Sequence, residues 1–168
     1  MVSIPGPSVI PDRVLSAMHR PMPNIYEGEL VEVSYSVQDD LRKIARTEQP
    51  VYISVSNGHG AWEMAISNTL SRGDKVLVLE SGTFAVGWGE MAEVSGVKAD
   101  ILPGSDPDPV SPEALEEYLK ADLSREIAAV MVVQVDTATS VRNDVKAIRA
   151  AIDAANHPAL LMVDCIAS

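Results

Sequence analysis

The chain has 168 residues and 46% hydrophobic and 22% charged content, the composition of an ordinary globular domain rather than of a disordered chain. Its 13 Lys and Arg stand against 24 Asp and Glu, a formal net charge of −11, and so acidic a surface argues against nucleic acid and anionic membranes as partners. The one cysteine, Cys165, excludes an internal disulfide framework and a multi-cysteine metal site, and His19, His59 and His157 lie too far apart to suggest metal ligands.

Residues 1–27 hold Pro5, Pro7, Pro11, Pro21 and Pro23 and little periodic pattern. They read as an N-terminal arm around one short helix from Pro11 to about Met18, with Pro11 suited to a first helical turn. From Glu29 to about Arg46, Leu30, Val33, Val37, Leu41, Ile44 and Ala45 recur at helical spacing, and Pro50 is expected to stop that helix.

A strand–helix alternation follows. Strands are predicted at Val51–Val55, Lys75–Leu79, Val97–Leu102, Ile127–Val133 and Ala159–Val163. Helices are predicted at Ala61–Ser71, Phe84–Val94, Pro112–Lys120 and Val145–Ala155. Gly73 and Gly96 stand where helix terminators belong, while Ser111-Pro112-Glu113 and Asp144 stand where helix starts belong. The runs 127–133 and 160–163 are apolar throughout, as expected of central strands covered on both faces. The fold class predicted is α/β, a three-layer, mostly parallel sheet covered by helices. A buried strand reaching almost to Ser168 with no helix after it reads as a domain truncated relative to its natural extent. No apolar run approaches the roughly 20 residues of a membrane span and no signal-like segment opens the chain, so a soluble, cytoplasmic protein is expected.

Ligands of open parallel sheets bind beyond the carboxyl ends of the strands, and four segments meet that criterion. Ser54–Gly60 combines glycines with the start of a helix, which suits an anion such as phosphate, although Glu63 breaks the dinucleotide fingerprint. Taken alone, the segment serves equally as an ordinary glycine turn, and His59 as a turn or capping residue. Glu80–Phe84 carries the only phenylalanine, able to pack a helix start or to stack on a flat ligand; Trp88, a turn further, is expected in the core. Gln134–Ser140 offers hydroxyls and an acid to a polar ligand, or is a plain loop. Asp164 directly follows a predicted strand and is either a helix cap or a functional acid. Cys165 beside it is expected to be a small buried hydrophobe. There is no G-x-S-x-G elbow from which to build a hydrolase triad.

Taken together, these segments resemble the class V, fold type I pyridoxal-phosphate aminotransferases, in particular the serine–glyoxylate and alanine–glyoxylate group. The resemblance rests on Pro5–Ser8, Ser56-Asn-Gly-His-Gly-Ala-Trp-Glu63, Ser67–Val76, Asp136-Thr-Ala-Thr-Ser140 and Ala147–Asp164, in that order along nearly the whole chain. It implies that Asn57, Gly58 and His59 hold the phosphate of pyridoxal 5'-phosphate and that Phe84 stacks on its ring. It further implies that Thr137 hydrogen-bonds the ring's polar edge and that Asp164, the catalytic acid, pairs with the pyridine nitrogen. The domain plan implied is an arm over 1–27 and the N-terminal portion of the large cofactor domain over 28–168, with the rest of that domain and a small C-terminal domain absent. The activity implied is transfer of an amino group from a serine- or alanine-type donor to a 2-oxo acid such as glyoxylate or pyruvate, in a homodimer.

Two departures bear on substrate preference: Ser140 stands where relatives often carry glycine, and Gln134-Val135 where they often carry His-Asn or His-Gly. The family's Schiff-base lysine is expected roughly 20–30 residues after the acid. Lys43, Lys75, Lys98, Lys120 and Lys146 all precede Asp164, so this chain alone is expected to be inactive. Two alternatives remain at this level: another fold type I enzyme (lyase, desulfurase or hydrolase), with Cys165 not placed like a desulfurase nucleophile, or a non-catalytic phospholigand-binding α/β domain.

Overall fold

The structure is a computed structural model that describes residues 9–105 and 108–168. The Pro5–Ser8 motif lies outside the described residues. The chain divides into two units, Met1–Ile53 and Ser54–Ser168.

The first unit holds α1 (Asp12–Met18) and α2 (Glu29–Ala45). Pro11 precedes α1 as its cap, at φ −59°. The expectation that Pro50 stops α2 is corrected: the helix ends at Arg46, in the left-handed region at φ 51°. There the N–H groups of Arg46 and Thr47 take up the Lys43 and Arg42 carbonyls, which closes the last turn before Pro50 is reached. Val33, Val37 and Ile44 leave an apolar face of α2 exposed.

The second unit runs α3 (Gly58–Thr69), β1 (Lys75–Leu79), α4 (Thr83–Val94), β2 (Lys98–Leu102), α5 (Pro112–Ala121), β3 (Ile127–Val133), α6 (Val145–Ala154) and β4 (Leu160–Asp164). The sheet order is β2-β1-β3-β4 and every pairing is parallel. The α/β expectation holds, and so do the caps read at two helix starts. Ser111 Oγ accepts from Ala114 N at 3.0 Å, and Asp144 Oδ1 accepts from Ala147 N at 3.0 Å.

Strand alternation sorts the core into two layers. Leu77, Leu79, Val130 and Val132 face α5 and α6, against Leu115, Leu119, Ile148 and Ile152. Val76, Val78, Ala129, Met131 and Val133 face α3 and α4, against Ile66, Ala85, Trp88 and Ala92. Trp88 is therefore core, as expected. A register shift between Lys75 and Val76 against β3 inserts one residue, which puts Ile127 on the same side as Val130.

Other expectations also fail. Val51–Val55 forms no strand: β-branched residues supply propensity, but a strand needs a ladder partner, and among the described residues none pairs with it. Tyr52, Ile53 and Val55 are accordingly exposed. The helix predicted at Ala61–Ser71 starts earlier and ends at Thr69, so Gly73 (φ 94°) turns the chain into β1 rather than ending the helix. Cys165 is exposed, because β4 ends at Asp164 and the chain turns outward there. Beyond these, the run 160–163 is half-buried rather than a fully covered central strand, since β4 pairs on one edge only among the described residues.

The end of the sheet away from the strands' carboxyl termini is tied by Asp122, which accepts from Ile127 N at 2.9 Å and faces the buried His157 Nε2 at 3.3 Å. Burial alone would raise the Asp122 carboxyl, but the backbone N–H groups of Ile127 and Glu126 and the His157 ring outweigh it and hold it below the ordinary carboxylate value. A carboxyl depressed by folding contributes stability above its unfolded pKa and loses it as pH falls through the folded one. Asp122→Asn should therefore melt at a lower temperature than the parent at neutral pH, and the gap should close as pH falls below 3.8. Melting curves taken from neutral pH down to about pH 2 check this; a pH-independent gap would contradict it.

Candidate active site

Because all strands run parallel, Leu79, Leu102, Val133 and Asp164 end on one side of the sheet, and the four segments singled out above gather there. The first segment is not a loop throughout. Asn57 stands at extended backbone angles and its Oδ1 accepts from Gly60 N at 3.1 Å, so Gly58-His59-Gly60 become the first turn of α3. Among the described residues the N–H groups of Gly58 and His59 meet no acceptor, which leaves two donors aimed out of a helix N-terminus. A Cβ at Gly60 would lie 2.6 Å from Ser56 Cβ, so the tight entry into the turn requires glycine there. Asn57 and His59 are exposed.

Phe84 begins α4. The N-cap residue, Gly82, sits at φ 154° and provides no side-chain cap. The cap comes instead from the loop after β3: Asp136 Oδ2 accepts from Phe84 N at 3.0 Å and Ala85 N at 3.1 Å. Asp136 Oδ1 accepts from Ala138 N at 3.0 Å, and the residue is wholly buried. Thr139 Oγ1 adds a second tie to Ser81 O at 2.6 Å. Asp136 thus positions both Phe84 and the exposed Thr137 beside it, a role the sequence reading did not assign. The signal was present: an acid just after a buried strand, and a helix start whose own cap position is glycine.

Asp164 closes β4 and is half-buried. Its Oδ2 accepts from Trp62 Nε1 at 2.8 Å and its Oδ1 from Ile166 N at 2.8 Å. Trp62 in turn stacks on Trp88 (centroids 5.6 Å apart, planes at 13°) and meets His59 at 4.8 Å and Phe84 at 6.3 Å. His59, Phe84 and Asp164 are therefore linked through one indole. Gln134 N donates to Asp164 O at 2.8 Å, joining the third segment to the fourth. Gly58, Trp62 and Asp164 also line a cavity of about 380 Å³ between α3 and β4.

Among the described residues none of the five lysines makes a hydrogen bond or ion pair with Asn57, His59, Phe84, Thr137 or Asp164. Lys75 and Lys98 open β1 and β2 at the opposite end, where Lys75 Nζ lies 3.4 Å from Asp100 and 3.6 Å from Glu126. Lys43 and Lys120 pair with Asp40 and Glu116 on helix surfaces, and Lys146 lies in the first turn of α6.

The family model for aminotransferase class V matches residues 8–168. The chain belongs to the class V aminotransferases. Among class V relatives, the serine–glyoxylate aminotransferase of Methylorubrum extorquens is 41% identical over 166 residues, which is 98% of this chain and 41% of that protein. The L-aspartate–glyoxylate aminotransferase of Paracoccus denitrificans is 36% identical, over 99% of this chain and 42% of its own length. The crystal structure of alanine–glyoxylate aminotransferase from Nostoc sp. superimposes with a TM-score of 0.82 at 28% identity, covering 98% of this chain and 42% of that one. The chain thus spans about two-fifths of the length of these class V relatives.

Proposed function

We propose that the whole protein carries out pyridoxal-phosphate-dependent transamination between a small amino acid of the serine or alanine type and a 2-oxo acid such as glyoxylate or pyruvate. In this reading residues 28–168 supply the N-terminal portion of its cofactor domain. The observation that carries it is the convergence of an open helix N-terminus, an aromatic ring and a carboxylate at the carboxyl ends of four parallel strands. All three relatives named above are glyoxylate aminotransferases, which supports glyoxylate as the acceptor.

The residues present suit the cofactor. Two unpaired N–H groups at a helix N-terminus and the Asn57 amide, with its Oδ1 already engaged, form a donor set for a phosphate dianion. The half-buried Phe84 offers a ring edge and face beside His59. Thr137 offers a hydroxyl to the ring's polar edge. Asp164, fixed at both oxygens, holds a proton at the pyridine nitrogen by placing negative charge beside it. Pyridoxal phosphate, when bound, supplies the electron sink for the substrate carbanion, and protonation at that nitrogen deepens the sink. The reading requires a tethering lysine other than the five present here. It also includes a homodimer, which the exposed apolar residues of α2 support, located in the cytoplasm.

The test is made on the whole protein. Borohydride reduction in the presence of pyridoxal phosphate should leave one pyridoxyl-phosphate adduct per chain by intact mass, and serine with glyoxylate should yield hydroxypyruvate and glycine. Phe84→Ala should weaken cofactor affinity by about 3- to 10-fold through the lost stacking. Absence of both adduct and amino transfer would overturn the reading.

A further inference from the structure

The acid assigned to the pyridine nitrogen is held by an indole from an element 102 residues away in sequence. We propose that Trp62 is a positioning residue for Asp164: its Nε1–H fixes the carboxylate's orientation and ties the cofactor's nitrogen partner to the helix that holds the phosphate. The inference rests on the function proposed above and deepens it.

The geometry is specific on both sides of the bond. Trp62 is 6% exposed, and its ring has little freedom to turn, being stacked at 5.6 Å on the buried Trp88 and met edge-on by His59 at 4.8 Å. A donor so clamped presents its N–H in one direction. On the other side, a carboxylate on a strand end can rotate about its own terminal bond, which is broad and soft. Here that rotation is opposed at both oxygens, by Trp62 at Oδ2 and by Ile166 N at Oδ1, each at 2.8 Å. Each oxygen keeps a further lone-pair direction for a ligand proton. Trp62 also lies in the second turn of α3, whose first turn carries Gly58 and His59, so one rigid ring joins the proposed phosphate donors to the proposed nitrogen partner. A ligand held at two ends gains from a fixed span between them, because the ordering is done before it binds.

Two changes separate donor from packing. Trp62→Phe removes the N–H and part of the ring; benzothienylalanine at position 62 keeps the bicyclic shape and exchanges the N–H for sulfur. In the whole protein both should weaken pyridoxal-phosphate affinity about tenfold, in line with loss of one hydrogen bond to a charged group. Both should also shift the absorption band of the bound cofactor, a signature that packing alone would not move. In an Asp164→Asn background the same changes should cost less than about twofold, because their effect runs through that carboxylate. Equal losses in both backgrounds, or an unchanged affinity and band with benzothienylalanine, would overturn the inference and leave Trp62 a packing residue. If Asp164→Asn by itself changed neither affinity nor rate, the assignment of Asp164 would fail first and this inference with it. That outcome is told apart because it appears with Trp62 intact.

Discussion

Asp164→Asn is expected to lower transamination by the whole protein by about 10²- to 10³-fold, the scale on which a single preorganised charge acts in catalysis. Asparagine has nearly the same shape and keeps one oxygen acceptor for Trp62 Nε1 or Ile166 N, so folding is disturbed far less than chemistry. What disappears is the negative charge proposed to keep a proton on the pyridine nitrogen. The expected pattern is a large fall in kcat, a smaller loss of cofactor affinity, and a melting temperature within a few degrees of the parent. An unchanged kcat would remove Asp164 from the mechanism. Asp164→Glu would put the charge back on a longer arm, and a partial recovery of rate would show that position matters beside charge.

Asp136→Ala should destabilise the second unit by about 3 kcal/mol. The carboxylate is wholly buried and satisfies the N–H groups of Phe84, Ala85 and Ala138 at once. Alanine would leave the first two without an acceptor at a helix start that has no cap of its own. Gly82 makes room for that carboxylate, since a Cβ there would lie 2.6 Å from its carbon. Urea titration gives the measurement, and a loss below about 1 kcal/mol would show that the loop and helix hold together by other means. Because the same carboxylate positions Phe84 and the loop of Thr137, cofactor affinity should fall in parallel with stability. Asp136→Asn, which keeps one acceptor, should fall between the two.

Much of this arrangement was legible before any coordinates. Parallel strands with helices between them followed from apolar runs broken by Gly73, Gly96, Ser111 and Asp144, because periodicity and capping are local properties. The residues proposed to hold the cofactor were legible too, from ordered motifs such as Ser56–Glu63 and Asp136–Ser140 that are read without knowing what touches them. Where local signals misled, the missing quantity was a partner. Val51–Val55 has strand propensity and, among the described residues, no ladder to join, and Cys165 has an apolar neighbourhood in sequence yet is exposed in space.

The sequence by itself determined the fold class, the family and the side of the sheet on which chemistry belongs. Only the tertiary structure decided that Asp136 caps Phe84 across 52 residues and that Trp62 holds Asp164 across 102. Both are hydrogen bonds between chain-distant groups. Their existence depends on the register of β1 against β3 and of β3 against β4, which no local pattern of residues encodes.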